Sequence, residues 1–238
     1  MASQLGALTL MLAAAVPAAA GNFTVSPIGI DLQGAQRTAV LTVHNEDSAP
    51  LLIQVSVLSW SQPGGEEKYE ETRELLATPP IFTLPAHGEQ IVRVALRRAP
   101  DATRELAYRL LLAEVPQSTD PNFTGLRVAL HLNLPVFVRA SSPTMASLAW
   151  RGQWHPDGTL TVSANNNGQA HVQIADFILQ IGGVDQAARG SMTRYVLPGS
   201  TVSWRFSPAA NLAHDLAVAV HGHSDQGEFQ ADVSIAGP

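Results

Sequence analysis

Thirteen consecutive residues constrain this chain more than any other stretch: residues 126–138 read Leu-Arg-Val-Ala-Leu-His-Leu-Asn-Leu-Pro-Val-Phe-Val. Every second side chain is apolar, namely Leu126, Val128, Leu130, Leu132, Leu134, Val136 and Val138. A β-strand sends alternate side chains to opposite faces, so this whole row falls on one face of a strand. A helix would scatter it around the axis. The other face carries Arg127, Ala129, His131, Asn133, Pro135 and Phe137, a mixed set. Strands commonly run about five or six residues, so this one is long. Such a strand either fills its own core or lends its apolar row to something else.

The remainder of the chain can supply a core. It has 238 residues, 45% of them hydrophobic, enough for one large domain or two ordinary ones. Lys+Arg 14 against Asp+Glu 20 leaves a net charge of −6, which argues against a nucleic-acid partner. Cysteine is absent, which excludes a disulfide framework, a thiolate metal site and a cysteine nucleophile. Residues 5–16 are an apolar run, and Ala18, Ala19 and Ala20 are the small residues a signal peptidase accepts. No Lys or Arg precedes the run, unlike most export signals. Residues 1–20 are read as a cleaved signal, and no later stretch is long and apolar enough to predict a transmembrane helix. The mature protein is expected to be soluble and exported.

Short strands punctuated by turns fill the rest. Residues 23–32 are extended but broken by Pro27, as suits an edge strand. Residues 37–44, 51–60, 81–84 and 90–97 follow, with 62–74 as a polar loop. Residues 106–115 form a nearly continuous apolar run, expected of a strand buried on both faces. About seven strands in about 120 residues, without helical periodicity, predict an immunoglobulin-like sandwich. After a linker beginning at Arg139 the pattern repeats more loosely. Val-His-Asn and a later Phe-Thr-Leu-Pro in the first half are echoed by Ala-Asn-Asn-Asn-Gly and Tyr-Val-Leu-Pro in the second. The reading is all-β, with two tandem immunoglobulin-like domains over residues 21–139 and 140–238.

Little in the chain suggests catalysis. There is no Gly-x-Ser-x-Gly elbow, no Ser/His/Asp set in a family context and no Gly-rich phosphate loop before a helix. His221 and His223 share one strand face, with His214 nearby, but no third ligand falls at a recognised spacing, so no metal site is assigned. Two arginines interrupt strands, Arg93 and Arg109. A charge there must be paired or reach solvent. Arg93 reads as a structural ion-pair residue. Arg109 begins a strand expected to pair antiparallel with residues 126–138, near the far end of that strand.

Taken together, Thr78-Pro79-Pro80, Leu84-Pro85, Arg93, Arg104-Glu105, Tyr108, Glu114-Val115-Pro116 and the long strand ending at Phe137-Val138-Arg139 resemble the PapD-like periplasmic pilus chaperones. Tyr195 to Ser200 and Asn165 to Gly168 look like that family's second domain. The details are most similar to the archaic branch. The resemblance implies a non-enzymatic chaperone without cofactors, two domains in a boomerang, and donor-strand complementation, in which the long strand is inserted into the open groove of a pilin subunit. An outer-membrane usher then receives the subunit.

By this resemblance Leu126, Val128, Leu130, Leu132 and Leu134 are the donor row. Five such side chains would contribute on the order of 10 kcal/mol before ordering costs. The family's interdomain ion pairs match Arg93, Glu105 and Asp225. Its best-known members anchor the subunit's carboxylate with an Arg and a Lys, but Gly29 and Pro135 stand at those positions here. Arg109, placed beside Pro135 by antiparallel pairing, is the candidate replacement, and Arg139 the second. When empty, such a chaperone would be monomeric or weakly dimeric. The competing reading is a secreted two-domain adhesin or fibre subunit whose long strand is internal.

Overall fold

The computed structural model describes residues 19–20, 22–33, 36–116, 127–186, 193–208 and 216–235. In the first half, β1 (Ala19–Ala20) is followed by β2 (Phe23–Ser26), β3 (Ile30–Leu32), β4 (Thr38–Asn45), β5 (Leu51–Ser61) and β6 (Lys68–Glu71). Then come β7 (Leu75–Thr78), β8 (Ile81–Leu84), β9 (Glu89–Leu96), β10 (Leu106–Glu114), β11 (Arg127–Val128) and β12 (His131–Val138). One sheet runs β2-β4-β9-β7; the other runs β3-β12-β10-β5-β6, with β8 also on β5. β1 lies parallel to β11.

Alternation explains why the two sheets close on each other. Leu41 and Val43 of β4, Val92 and Val94 of β9, Ile53 of β5 and Leu110 of β10 meet in one core. Residues 23–32, expected as one edge strand, are two strands in opposite sheets. The chain crosses between them at the cis Ser26–Pro27 bond, where proline offers no N–H to continue a ladder. Residues 62–74, expected as a loop, contain a 3-10 turn at Pro63–Gly65 and the edge strand β6. The run 106–115 is not buried on both faces. Tyr108, Leu110 and Leu112 enter the core, while Arg109 and Leu111 stay half-buried on the outward face.

The second half forms β13 (Leu148–Trp154), β14 (Leu160–Asn166), β15 (Val172–Ile181), β16 (Val184–Gln186), β17 (Arg194–Val196), β18 (Thr201–Phe206), β19 (Val218–Ser224), β20 (Gly227–Asp232) and β21 (Ser234–Ile235). Its sheets are β18-β14-β13-β21 and β16-β15-β19-β20, with β17 on β15. An aromatic group of Trp150, Phe177, Trp204 and Phe206 packs in the core between them.

The internal echo has a physical basis. Asn45 and Asn166, each 0% exposed, end corresponding strands. The Asn45 amide donates to Ala49 O, Leu84 O and Pro85 O, and its oxygen accepts from Asp47 N. The Asn166 amide donates to Ala170 O and Val196 O, and its oxygen accepts from Gly168 N and Ser147 N. Each side chain ties its own loop to the later Leu-Pro segment, so a buried amide is satisfied in both halves.

Candidate functional site: an open strand edge beside an interdomain cleft

β12 pairs with β10 along its whole length, from Leu106 opposite Val138 to Ala113 opposite His131. On its other side it meets β3 only at Val136, Phe137 and Val138. Its outer edge from His131 to Pro135 therefore has no strand partner among the described residues. Unpaired edge groups of this kind are a template for another chain.

The apolar row grades along this edge. Leu134 is 7% exposed, and Val136 and Val138 lie in the core. Leu130 and Leu132 are partly buried against that core, and Val128 is 50% exposed. Leu126 lies outside the described residues. The single long strand expected over 126–138 is interrupted at residues 129–130. There Glu114 N–H donates to Leu130 O at 3.0 Å, while the Glu114 carboxylate, at 3.2 Å, accepts from Leu130 N–H. A side chain thus replaces a ladder carbonyl at the end of β10.

The outward face of this sheet lines a cleft between the domains. Arg109 lies opposite Pro135 on one side and Leu58 on the other. Gly29 comes next to Pro135; a Cβ on Gly29 would sit 3.4 Å from Pro135 Cγ. The Arg109 guanidinium lies 3.6 Å from the centre of the Trp60 ring and 5.5 Å from that of Tyr195, in the second domain. Its Nε is buried without a hydrogen-bond partner. Burial pulls the Arg109 pKa down, partly offset by Tyr69 and Glu67. Among the described residues no carboxylate lies within ion-pair distance of this half-buried cation, although Glu67 is near enough to offset part of its burial; set on an aromatic platform, it suits an incoming anion. Arg139 is more exposed, with Nη2 4.0 Å from Asp31 Oδ1.

A compact joint holds the domains together. Trp60, Phe137 and Leu197 are buried in one cluster, with Tyr195 against it. Gln62 accepts from Leu197 N–H at 2.9 Å and donates to Tyr195 O at 2.9 Å. Glu105, 4% exposed, accepts from the His171 main-chain N–H and contacts His171 Nδ1 at 2.5 Å. His171 Nε2 is 3.6 Å from Asp225 Oδ2, and the imidazole stacks on Phe137 with ring centres 3.5 Å apart. The structure thus brings Glu105 and Asp225 together through His171. It does not bring Arg93, which stands exposed on β9 opposite Val40 and Thr78, in the other sheet. We expect Glu105→Ala to cost about 2 kcal/mol, because it orphans a buried N–H. That corresponds to roughly 4–8 °C in calorimetric melting temperature for a chain of this size. Arg93→Ala should shift melting by no more than about 2 °C, as for an ordinary surface change; equal shifts would remove the distinction.

The family described as pili and flagellar-assembly chaperone, PapD N-terminal domain, matches residues 22–143. The chain belongs to this chaperone family. No curated protein matches the chain. Solved structures share its fold at low identity. A chain of the CsuC–CsuE chaperone–tip adhesion subunit pre-assembly complex, from archaic chaperone-usher Csu pili of Acinetobacter baumannii, is 17% identical with a TM-score of 0.68, covering 91% of this chain and 100% of that one. A chain of the Salmonella enterica SafA pilin–SafB chaperone complex is 17% identical with a TM-score of 0.60, covering 90% and 97%. The Pseudomonas aeruginosa CupB2 chaperone is 20% identical with a TM-score of 0.57, covering 90% and 100%.

Four residues of this chaperone's joint escaped sequence reasoning: Trp60, Phe137, His171 and Tyr195. Phe137 carried a signal, being a large aromatic on the polar face of the 126–138 strand. His171 carried none, since only the folded chain brings it to Glu105. Of the histidines weighed as metal ligands, His223 Nδ1 lies 2.9 Å from Asp176 Oδ1 on an exposed surface, while His214 is outside the described residues. No group of three or more potential metal ligands occurs among the described residues.

Proposed function

We propose that this chaperone is exported to the periplasm by a signal over residues 1–20, captures pilin subunits there by donor-strand complementation, and passes them to an outer-membrane usher. The first domain, residues 21–139, carries the donor row; the second, residues 140–238, closes the cleft. The observation that carries this reading is the unpaired edge of β12 from His131 to Pro135, continuous with an apolar row that becomes exposed toward Val128. A subunit strand laid along that edge would take up its free main-chain groups, and Leu130, Leu132 and Val128 would face the subunit's groove. Leu134, already buried, would set the register rather than fill a pocket.

In the same reading Arg109 receives the subunit's terminal carboxylate, on the Trp60 platform beside Pro135 and Gly29, where neither residue can bind an anion through its side chain. Arg139 is the second candidate. The scheme needs no nucleotide, metal or catalytic group. Glu105, His171 and Asp225 hold the two domains at the angle the cleft requires. The test is a tagged pull-down from the periplasm of the native host with mass spectrometry. Recovery of a small β-rich pilin subunit is expected; recovery of none, in cells shown to express one, would overturn capture of pilin subunits by this strand.

A further inference from the structure

The indole beneath Arg109 carries a second charge at its edge. Trp60 turns its ring face to the Arg109 guanidinium, 3.6 Å from the ring centre, and its indole N–H to the carboxylate of Glu67. The cation thus meets the electron-rich face of the ring and the anion its electron-poor edge. Glu67 lies between the 3-10 turn at Pro63–Gly65 and β6. The residue is exposed, yet its carboxylate is turned inward and accepts from three donors: Trp60 Nε1, Gln62 Nε2 at 2.9 Å and the Tyr69 hydroxyl at 3.3 Å. All three are neutral groups, which orient the carboxylate without cancelling its charge. Gln62 is also the side chain that joins Tyr195 O and Leu197 N–H, so Glu67 is fixed to the joint as well as to the ring. Burial and Glu67 raise the Tyr69 pKa while Arg109 and Asn133 of β12 lower it, so this phenol feels both charges beside the open edge.

A carboxylate arriving at Arg109 is attracted by the guanidinium and repelled by Glu67. We propose that Glu67 tunes the Arg109 site: it orients the Trp60 ring under the guanidinium and, by its own charge, weakens the hold on an incoming carboxylate. This rests on the reading of Arg109 as the subunit's anchor and names the residue that limits the anchor's strength. A chaperone that passes its subunit on works with a grip that can be released. Selectivity follows as well. A ligand with a second acidic group beside its carboxylate is repelled twice, so the cleft favours chain ends that carry a single negative charge.

The test is titration calorimetry with a purified subunit bearing a free C-terminus and with the same subunit amidated there. Acetate and malonate, followed on the Trp60 indole N–H signal by NMR, probe the anion site alone. In Glu67→Gln, affinity for the free-carboxyl subunit and for acetate should rise about three- to tenfold, more at low salt than at about 0.3 M. Malonate should gain more than acetate, and the amidated subunit should bind as it does to wild type. The ratio between the two subunits is the reading that a merely structural brace would not move, since a brace acts on both alike. The position is exposed and Gln keeps an acceptor for the indole N–H, so melting should shift by no more than about 2 °C. An unchanged or lowered ratio in Glu67→Gln, or an equal loss for both subunits, would overturn the tuning role and leave Arg109 and the donor strand standing. A wild type that neither distinguishes the two subunits nor binds acetate would overturn Arg109 as the anchor, and this proposal with it.

Discussion

Leu130→Asp will abolish recovery of a pilin subunit in the periplasmic pull-down while leaving the chaperone folded. Leu130 sits where the β10–β12 ladder ends, only partly buried, with its N–H on the Glu114 carboxylate. In the free protein the new carboxylate can turn to water, so the expected loss of stability is about 1 kcal/mol. In a subunit groove it cannot. There it forfeits a buried leucine, about 1.5–3 kcal/mol, and places a charge in an apolar pocket. Affinity should fall at least about a hundredfold, since each 1.4 kcal/mol is tenfold. Equal recovery by both proteins would mean that the row serves only its own core.

Arg109→Ala is the second large effect. The guanidinium rests on Trp60 near Tyr195, and its Nε has no partner. Its removal deprives an arriving carboxylate of its cation inside a desolvated cleft. Losing one partner of such a pair costs about 2–5 kcal/mol of binding, or a loss of about thirtyfold or more. The free protein should not suffer in proportion, because among the described residues no carboxylate lies within ion-pair distance of Arg109. Titration with a purified subunit and with the same subunit amidated at its C-terminus separates the contributions. Wild type should discriminate between the two ligands, and Arg109→Ala should bind both equally and weakly. If Arg109→Ala still prefers the free carboxylate, the anchor lies elsewhere, and Arg139→Ala is the next variant.

These effects rest on features of unequal legibility. The alternation over 126–138 showed a strand because period-two patterning survives without knowledge of neighbours. The antiparallel pairing that sets Arg109 beside Pro135 was also legible, because the two apolar strands follow one another in the chain. Local chemistry overrode pattern elsewhere. Glu114 breaks the long strand at residues 129–130 by bonding Leu130 N–H. Pro27 moves the chain from one sheet to the other. The interdomain joint was half legible. Glu105 and Asp225 meet, but through His171, and the pairing spans 66 residues between Glu105 and His171. No local period encodes such a distance. Arg93 was displaced by simple parity, since Val92 and Val94 take the core and leave it on the opposite sheet's outer face.

The measurement that bears most directly on donor-strand capture is amide hydrogen exchange across residues 127–135, with and without a purified subunit. The free chaperone should exchange rapidly at those amides of β12 that do not bond to β10, because their edge is open from His131 to Pro135. Adding subunit should protect those amides strongly and leave the outer face around Arg93 unchanged. A subunit that binds tightly while the β12 edge continues to exchange as in the free protein would contradict donor-strand capture.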